Sequence, residues 1–457
     1  MDTSHFSRVF AICGILGRPL LLLALLGCMT TSLLAYAEAP LLHISPNNRY
    51  LQDDQNQPFY MVGDSPQAIL NKLTPSQAAD YFQRRAAQGF NTVFIHDFIR
   101  YGFIGPNDAS GNPPFDAYLP GTYIFDITKP NATYWQNLET IVKLAGQYGM
   151  EIIFDVYDNK NPEFTQFTSP NPPANLVAYG QFLARRFINY DYIIWMVGGD
   201  DYLGNHAGNI SILSVIHGIR QFDQRHLGFV MDQWDAQNFD NRDLRPYLAL
   251  NGIYHFDAGP WRNRYLAAYD RPDFGPIFNV ESFYEGNATE PYLREEHYTF
   301  LLSGATGDLF GNRDLWQFKS NWRTVLNSQG SREMSIFGHF VRTIPWHTLT
   351  PDQNGTVFQD VGKPADYSGA YASHNLAIGY KPSTGTGSRT FTVNMNYFNA
   401  PVTAKWFDPT NGLYIDIGTG FPHSGTKTFG TPTTNSTGKD NDFVLVLTSG
   451  TLSPHAQ

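Results

Sequence analysis

The strongest constraint on the fold is a rhythm: short apolar runs alternate with helix-periodic segments, and most runs end in an acid or a histidine. The runs are Phe59–Gly63, Phe90–Ile95, Ile152–Tyr157, Tyr192–Val197, Leu227–Met231, Gly252–His255, Pro276–Val280 and Gly307–Gly311. Their length and composition are those of buried strands. Between them, residues 74–88, 135–148, 176–187, 210–223, 294–303 and 332–348 carry helical signals. The first helix opens on Thr74, with Pro75 behind it and Gln77 three residues on, the pattern of a capping box. Buried strands alternating with helices imply a parallel sheet, since parallel strands need long crossovers. Eight such units predict a (β/α)8 TIM barrel. A doubly wound open sheet is the alternative, but no glycine-rich phosphate loop follows the first strand.

The texture changes near Thr350. Beyond it Thr, Gly, Ser and Asn dominate, and strand-like runs recur at short intervals over 375–380, 389–396, 404–407, 412–417 and 443–448. This pattern predicts a small all-β sandwich. The expected organisation of the 457 residues is therefore a leader over 1–37, an α/β barrel over 38–349 and a β domain over 350–457.

Residues 1–37 have the form of an export signal. Arg8 and Arg18 precede the apolar run Pro19–Leu26, and Ala35-Tyr36-Ala37 fits a small-x-small cleavage site. Thr30, Thr31 and Ser32 interrupt the apolar stretch, which favours cleavage over a retained membrane anchor. Lipidation at Cys28 is the other option, because Leu25-Leu26-Gly27-Cys28 resembles a lipobox. Both cysteines, Cys13 and Cys28, lie in this leader, so the mature chain would have no disulfide and no thiolate chemistry. The expected location is secreted or periplasmic, with no stable membrane insertion after cleavage.

Charge narrows the partners. Lys and Arg number 31 against 41 Asp and Glu, which argues against nucleic acid or an anionic membrane. Aromatics make up 15% of the chain and charged residues only 16%, a balance that suits stacking on sugar rings as well as dense packing.

In a barrel the strand C-termini converge on one face, where the chemistry sits. Here they bring Asp64, His96, Asp97, Asp155, Asp200, Asp201, Asp232, His255 and Glu281 to that face. Such a crowd suits glycoside hydrolysis, where one acid protonates the leaving oxygen and another attacks or activates water. It also suits a metal site, but no His-x-His or His-Glu-x-x-His pattern is present, and no metal or cofactor is expected. Serine hydrolysis lacks its Gly-x-Ser-x-Gly elbow. Asp64, His96, Asp97, Asp155 and Asp201 are candidates for binding sugar hydroxyls, or for tying loops to the rim. His255 is a candidate for orienting Glu281 or a hydroxyl, or is a satisfied rim histidine. Tyr157, Trp234, Tyr284 and Trp316 are candidate stacking platforms, or ordinary packing.

Three segments then resemble one family. Trp195-Met196-Val197-Gly198-Gly199-Asp200 is similar to the Trp-x-x-Gly-Gly-Asp segment of apiosidase-like glycoside hydrolases, the family 140 type of clan A. Glu281-Ser282-Phe283-Tyr284-Glu285-Gly286 resembles their Glu-x-x-Tyr-Glu-Gly segment. Gly304-Ala305-Thr306-Gly307, with Gly311-Asn312 and Trp316, is similar to their eighth-strand segment. Trp406-Phe407-Asp408-Pro409-Thr410-Asn411-Gly412 resembles the signature of the β domain that follows in that group, a collagen-binding type. The resemblance spans residues 42–448. It implies that Asp200 is the acid/base and Glu281 the nucleophile of a retaining mechanism, with the carboxyls about 5–5.5 Å apart. It implies an oligo- or polysaccharide substrate, from plant or microbial side chains. Glu285, beyond the strand end, is read as a structural salt bridge.

The chain also departs from the pattern. Relatives carry Gly-Asp-Thr-x-Trp after the first strand; here stands Gly63-Asp64-Ser65-Pro66-Gln67. After the fifth strand Asp232-Gln233-Trp234-Asp235 replaces His-Pro, and Asp308 follows the glycine of the eighth strand where relatives have His. These changes lie where substrate would be held and bear on apiose specificity. A non-catalytic carbohydrate- or matrix-binding barrel is the other reading, and it would be expected to have lost one of the two acids; both are present.

Overall fold

The computed structural model describes residues 36–98, 104–157, 171–199, 206–232, 236–256, 261–359 and 368–450. Nearly all of the leader, and with it Cys13 and Cys28, lies outside the described residues. So do Asp200, Asp201 and Trp234.

The barrel strands are β1 (Met61–Asp64), β2 (Thr92–His96), β3 (Glu151–Val156), β4 (Ile193–Val197), β5 (Gly228–Phe229), β6 (Asn251–Tyr254), β7 (Ile277–Glu281) and β8 (Ala305–Phe310). They form one sheet in the order β5-β4-β3-β2-β1-β8-β7-β6. The first and last strands pair in parallel, Met61 opposite Gly307 and Asp64 opposite Phe310. An open doubly wound sheet would leave these strands apart, so the barrel reading holds. Among the described residues β5 and β6 form no ladder; the Ala249 N–H donates to the Gly228 carbonyl at 2.8 Å and narrows that seam.

Around the sheet lie helices α1 (Pro75–Ala87), α2 (Ala132–Gln147), α3 (Pro173–Phe187), α4 (His206–Arg220), α5 (Trp261–Tyr269), α6 (Glu290–Leu302) and α7 (Gln329–Arg342). The capping box of α1 forms as read, Thr74 accepting from the Gln77 N–H while Gln77 reaches back. Helix α7 stops at Arg342 instead of running to Thr348, because Pro345 cannot continue it. Helix α5 carries no clear apolar stripe in sequence and was not expected.

Strand alternation sorts the side chains into two sets. Met61, Phe94, Ile153, Ile194, Met196, Phe229, Tyr254, Phe278, Val280 and Leu309 fill the barrel interior. Their neighbours Val62, Val93, Ile95, Ile152, Phe154, Trp195, Val197 and Phe310 face the helices. The interior is plugged at its N-terminal end by Leu42 and Leu51, from a three-stranded meander (His43–Ile44, Leu51–Gln52, Pro58–Phe59). The Leu51 N–H fastens that plug to Thr306 Oγ1 at 3.2 Å.

The C-terminal strands are β9 (Thr350–Pro351), β10 (Ser368–Ala372), β11 (Leu376–Lys381), β12 (Thr390–Asn394), β13 (Val402–Phe407), β14 (Tyr414–Phe421), β15 (Thr426–Gly430) and β16 (Phe443–Ser449). They form a six-stranded sheet, β9-β10-β11-β16-β13-β14, and a two-stranded one, β12-β15. Phe358, Phe391, Trp406, Phe429, Leu445 and Leu447 make the core between them. This domain is fused to the barrel by packing and charge. Tyr380 stacks on Tyr298 of α6 with centroids 4.9 Å apart, and Phe407 meets Phe340 of α7 at 4.7 Å. Arg294 of α6, only 1% exposed, forks onto Asp442 at 2.7 and 2.9 Å and reaches Glu333 of α7 at 2.9 Å.

Candidate active site

Glu281 closes β7, and strict alternation would turn it outward. Phe278 and Val280 point into the barrel, whereas Asn279 points to the helices and donates to Asp308 Oδ1 at 2.8 Å. Two residues beyond Asn279, Glu281 should follow it. The ladder with β6 instead shifts register between Asn279 and Glu281. Such an irregularity re-aims the side chain that follows it. The Glu281 carboxylate, half-buried, meets the loops after β7 and β1. The Tyr284 hydroxyl donates to Glu281 Oε1, and Gln67 Nε2 lies 3.4 Å from the same oxygen and 2.9 Å from the Tyr284 hydroxyl. The Tyr284 ring packs tightly against Gly311: a Cβ there would be 2.1 Å from Tyr284 Cδ1. Glycine at 311 is thus what lets Tyr284 reach Glu281. Tyr284, read as a stacking platform, has its hydroxyl engaged with an acid.

A second group lies on β2, β3 and β4. His96 and Asp155 continue the inward faces of β2 and β3, and His96 Nδ1 stands 2.8 Å from Asp155 Oδ2. Both are buried. Gly199, which leads to Asp200, packs against the Asp155 carboxylate. Gly199 therefore sits against the His96–Asp155 pair.

Several expected site residues face the other way. Asp64 is fully buried against α1, accepting from Arg85 Nε and the Tyr81 hydroxyl, each at 2.6 Å. It is a structural ion pair and not a ligand for sugar. Asp97 accepts from the Tyr179 hydroxyl of α3 and, at 2.7 Å, from the Phe98 N–H. Burial pushes its carboxyl up to about 7, against the lowering effect of the Tyr179 bond and with a further raise from Asp155. His255 donates its backbone N–H to the Glu281 carbonyl at 3.1 Å, but its ring lies among Phe300, Tyr265 and Glu296 on the helix side. It fixes the end of β7 through the main chain and does not orient the carboxylate. Tyr157 takes a left-handed backbone, φ 62°, and buries its ring in the barrel–helix layer, so it offers no platform. Trp316 is half-buried; its carbonyl accepts the Ala68 N–H at 3.0 Å and so steadies the loop holding Gln67.

Glu285 is structural, though not through a salt bridge. Its carboxylate takes the Ser328 hydroxyl at 2.5 Å, Asn312 Nδ2 at 2.8 Å and the Gly330 N–H at 2.8 Å, bonds that seat it at the N-terminus of α7. Gln67 was not singled out in sequence. Its only signal was its place, where relatives carry tryptophan. Among the described residues no group of three or more His, Cys, Asp and Glu could hold a metal ion.

A nearly closed parallel barrel with acids at its strand C-termini is a fold that solved glycoside hydrolases share. A solved structure described as a glycoside hydrolase superposes with a TM-score of 0.76 at 19% identity, covering 92% of this chain and 99% of its own. A family 5 glycoside hydrolase from Bacteroides vulgatus superposes with a TM-score of 0.76 at 20% identity, covering 91% and 95%. At these identities the likeness speaks for the fold. No curated protein sequence matches the chain. The family model for the apiosidase-like catalytic domain matches residues 45–348. The protein belongs to that family and is a glycoside hydrolase. Residues 350–448 match a second model, described as "Putative collagen-binding domain of a collagenase".

Proposed function

We propose that the protein is an exported, retaining glycosidase in which Glu281 is the nucleophile and Asp200 the acid/base, acting on side chains of plant or microbial polysaccharides. The observation that carries this reading is the re-aimed Glu281, held by hydrogen-bond donors on one carboxylate oxygen. Donors to a carboxylate stabilise its charged form, the form a nucleophile needs. In the first step Glu281 bonds to the anomeric carbon while Asp200 gives its proton to the departing oxygen. In the second, Asp200 takes a proton from water, and the resulting hydroxide displaces Glu281. Two displacements at one carbon retain its configuration.

His96 and Asp155, beneath the Gly199 backbone, are read as hydroxyl ligands and as the floor under Asp200. The β domain, bound to α6 and α7 through Arg294, is read as a structural part of the enzyme. The charged and apolar pattern of residues 1–37 supports export.

The test is a screen of 4-nitrophenyl glycosides and of pectic, arabinan and galactan oligosaccharides. Wild type, Glu281→Gln and Asp200→Asn are compared, and the anomer released first is read by NMR. Loss of at least about 10³-fold in kcat for Glu281→Gln, with retention in wild type, is the expected result. Activity that survives in Glu281→Gln, or an inverted product, would sink the assignment.

A further inference from the structure

Gln67 has no motif to explain it, yet it touches the carboxylate on which the reaction is read to turn. Its side chain is 6% exposed and spans from the loop after β1 to the end of β7. An ionised carboxylate only accepts hydrogen bonds, so the amide face toward Glu281 must be the nitrogen. That nitrogen carries two protons. The two acceptors are themselves hydrogen-bonded to each other, so one N–H of that nitrogen faces both, with the nitrogen 2.9 Å from the Tyr284 hydroxyl and 3.4 Å from Glu281 Oε1. Tyr284 accepts from Gln67 and donates to the same Oε1. The three groups close a ring of hydrogen bonds in which each donor polarises the next.

The backbone around Gln67 is fixed for this task. The Gln67 carbonyl accepts the His96 N–H at 3.5 Å, the Ala68 N–H goes to the Trp316 carbonyl at 3.0 Å, and the Ile69 N–H goes to the Pro66 carbonyl at 2.9 Å. The loop is thus tied to both the β2 end and the loop after β8. We propose that Gln67 is a positioning residue for Glu281, keeping it ionised and aimed through a paired contact with Tyr284. This inference rests on the reading of Glu281 as nucleophile.

The experiment compares Gln67→Met, which keeps the length and removes both donors, with Gln67→Glu, which keeps the shape and adds an acid. Hydrolysis of the 4-nitrophenyl glycoside that wild type accepts is followed against pH. In Gln67→Met the acid limb of kcat/KM should rise by about half to one pH unit, since a donor to a charged group is being lost. In Gln67→Glu it should rise further, because a second carboxylate opposes ionisation of the first. The fall should be in kcat with KM held. A substrate-independent readout is the 13C carboxyl titration of glutamate-labelled protein, with the Glu281 signal assigned by its absence in Glu281→Gln. Unchanged acid limbs and an unchanged Glu281 titration in both variants, with Glu281→Gln inactive, would overturn the role of Gln67 alone. An active Glu281→Gln would overturn the nucleophile reading and this one with it.

Discussion

The Asp155 carboxylate fills the space that a side chain at Gly199 would need: a Cβ built on Gly199 lies 2.5 Å from Asp155 Oδ2. Asp155 cannot simply swing aside, because His96 Nδ1 holds the same oxygen at 2.8 Å. The glycine before Asp200 is therefore a packing requirement of the neighbouring strand. Gly199→Ala should move either the His96–Asp155 pair or the chain leading to Asp200. A displacement near 1 Å in a reacting group costs about 10²-fold in rate. Steady-state kinetics should show a loss of that order, with only a modest fall in melting temperature. Full activity in Gly199→Ala would mean that this contact does not set the position of the acid.

Asp64 and Arg85 make the opposite case, a strand-end acid whose consequence is stability. Both are 0% exposed, and Arg85 also reaches Ser331 of α7 at 3.1 Å, so the pair ties β1, α1 and α7 together. Removing one partner of a buried pair strands the other. Asp64→Asn should cost about 3–5 kcal/mol in chemical denaturation. KM should stay at the wild-type value. A raised KM in a variant of unchanged stability would restore Asp64 to the substrate site.

Asp97 gives a pH dependence with a definite sign. Its folded carboxyl is pushed up to about 7 by burial, from an ordinary value of 3.8. The folded state thus holds a proton that the unfolded state has lost across that window. Where the folded state binds more protons, stability falls as pH rises. From this group the contribution should be intact below about pH 4 and eroded progressively as pH climbs through 7. Asp97→Asn cannot ionise, so its stability measured from pH 4 to 8 should run flatter than wild type. A parallel pair of curves would show that Asp97 does not titrate in this window.

Arg294 is the test of whether the β domain is a separate binder or part of the enzyme body. It is the cation facing Asp442, Asp440 and Glu333 at the junction. Burial already raises the Glu333 carboxyl, opposed chiefly by Arg294. Arg294→Met would leave three carboxyls together without their cation. The expected loss is about 3–5 kcal/mol, seen in calorimetry as a lower melting temperature. An unchanged melting temperature would mean that the aromatic contacts of Tyr298 and Phe340 carry the interface unaided.

Much of the architecture was readable because it rests on local pattern. The Thr74 capping box, the strands around Phe94 and Phe154 and the change of texture at Thr350 each follow from neighbouring residues. Helix α5 escaped because Trp261 to Tyr269 lacks a clean apolar stripe, and β5 shrank to two residues beside the barrel's open seam. Among the strand-end residues the missing step was parity. Asp64 and Asp97 share the outward face of Val62 and Ile95, while His96 and Asp155 share the inward face of Phe94 and Ile153. An acid at a strand end does not by itself say which face of the sheet it takes.

Glu281 marks the limit of that correction, because parity alone would have sent it outward with Asn279. The chain by itself determined that a barrel would form and that its seventh strand would end in an acid, since periodicity and turn residues act over a few positions. Only the tertiary structure decided which strand-end acids turn to the helices and which to the barrel interior. The register shift that turns Glu281 is set by pairing with β6, and the donors that receive it come from residues 67 and 284, some two hundred positions apart. A side chain's direction at a strand end depends on partners that lie far away in sequence, and it is there that the fold makes a carboxylate into a candidate nucleophile.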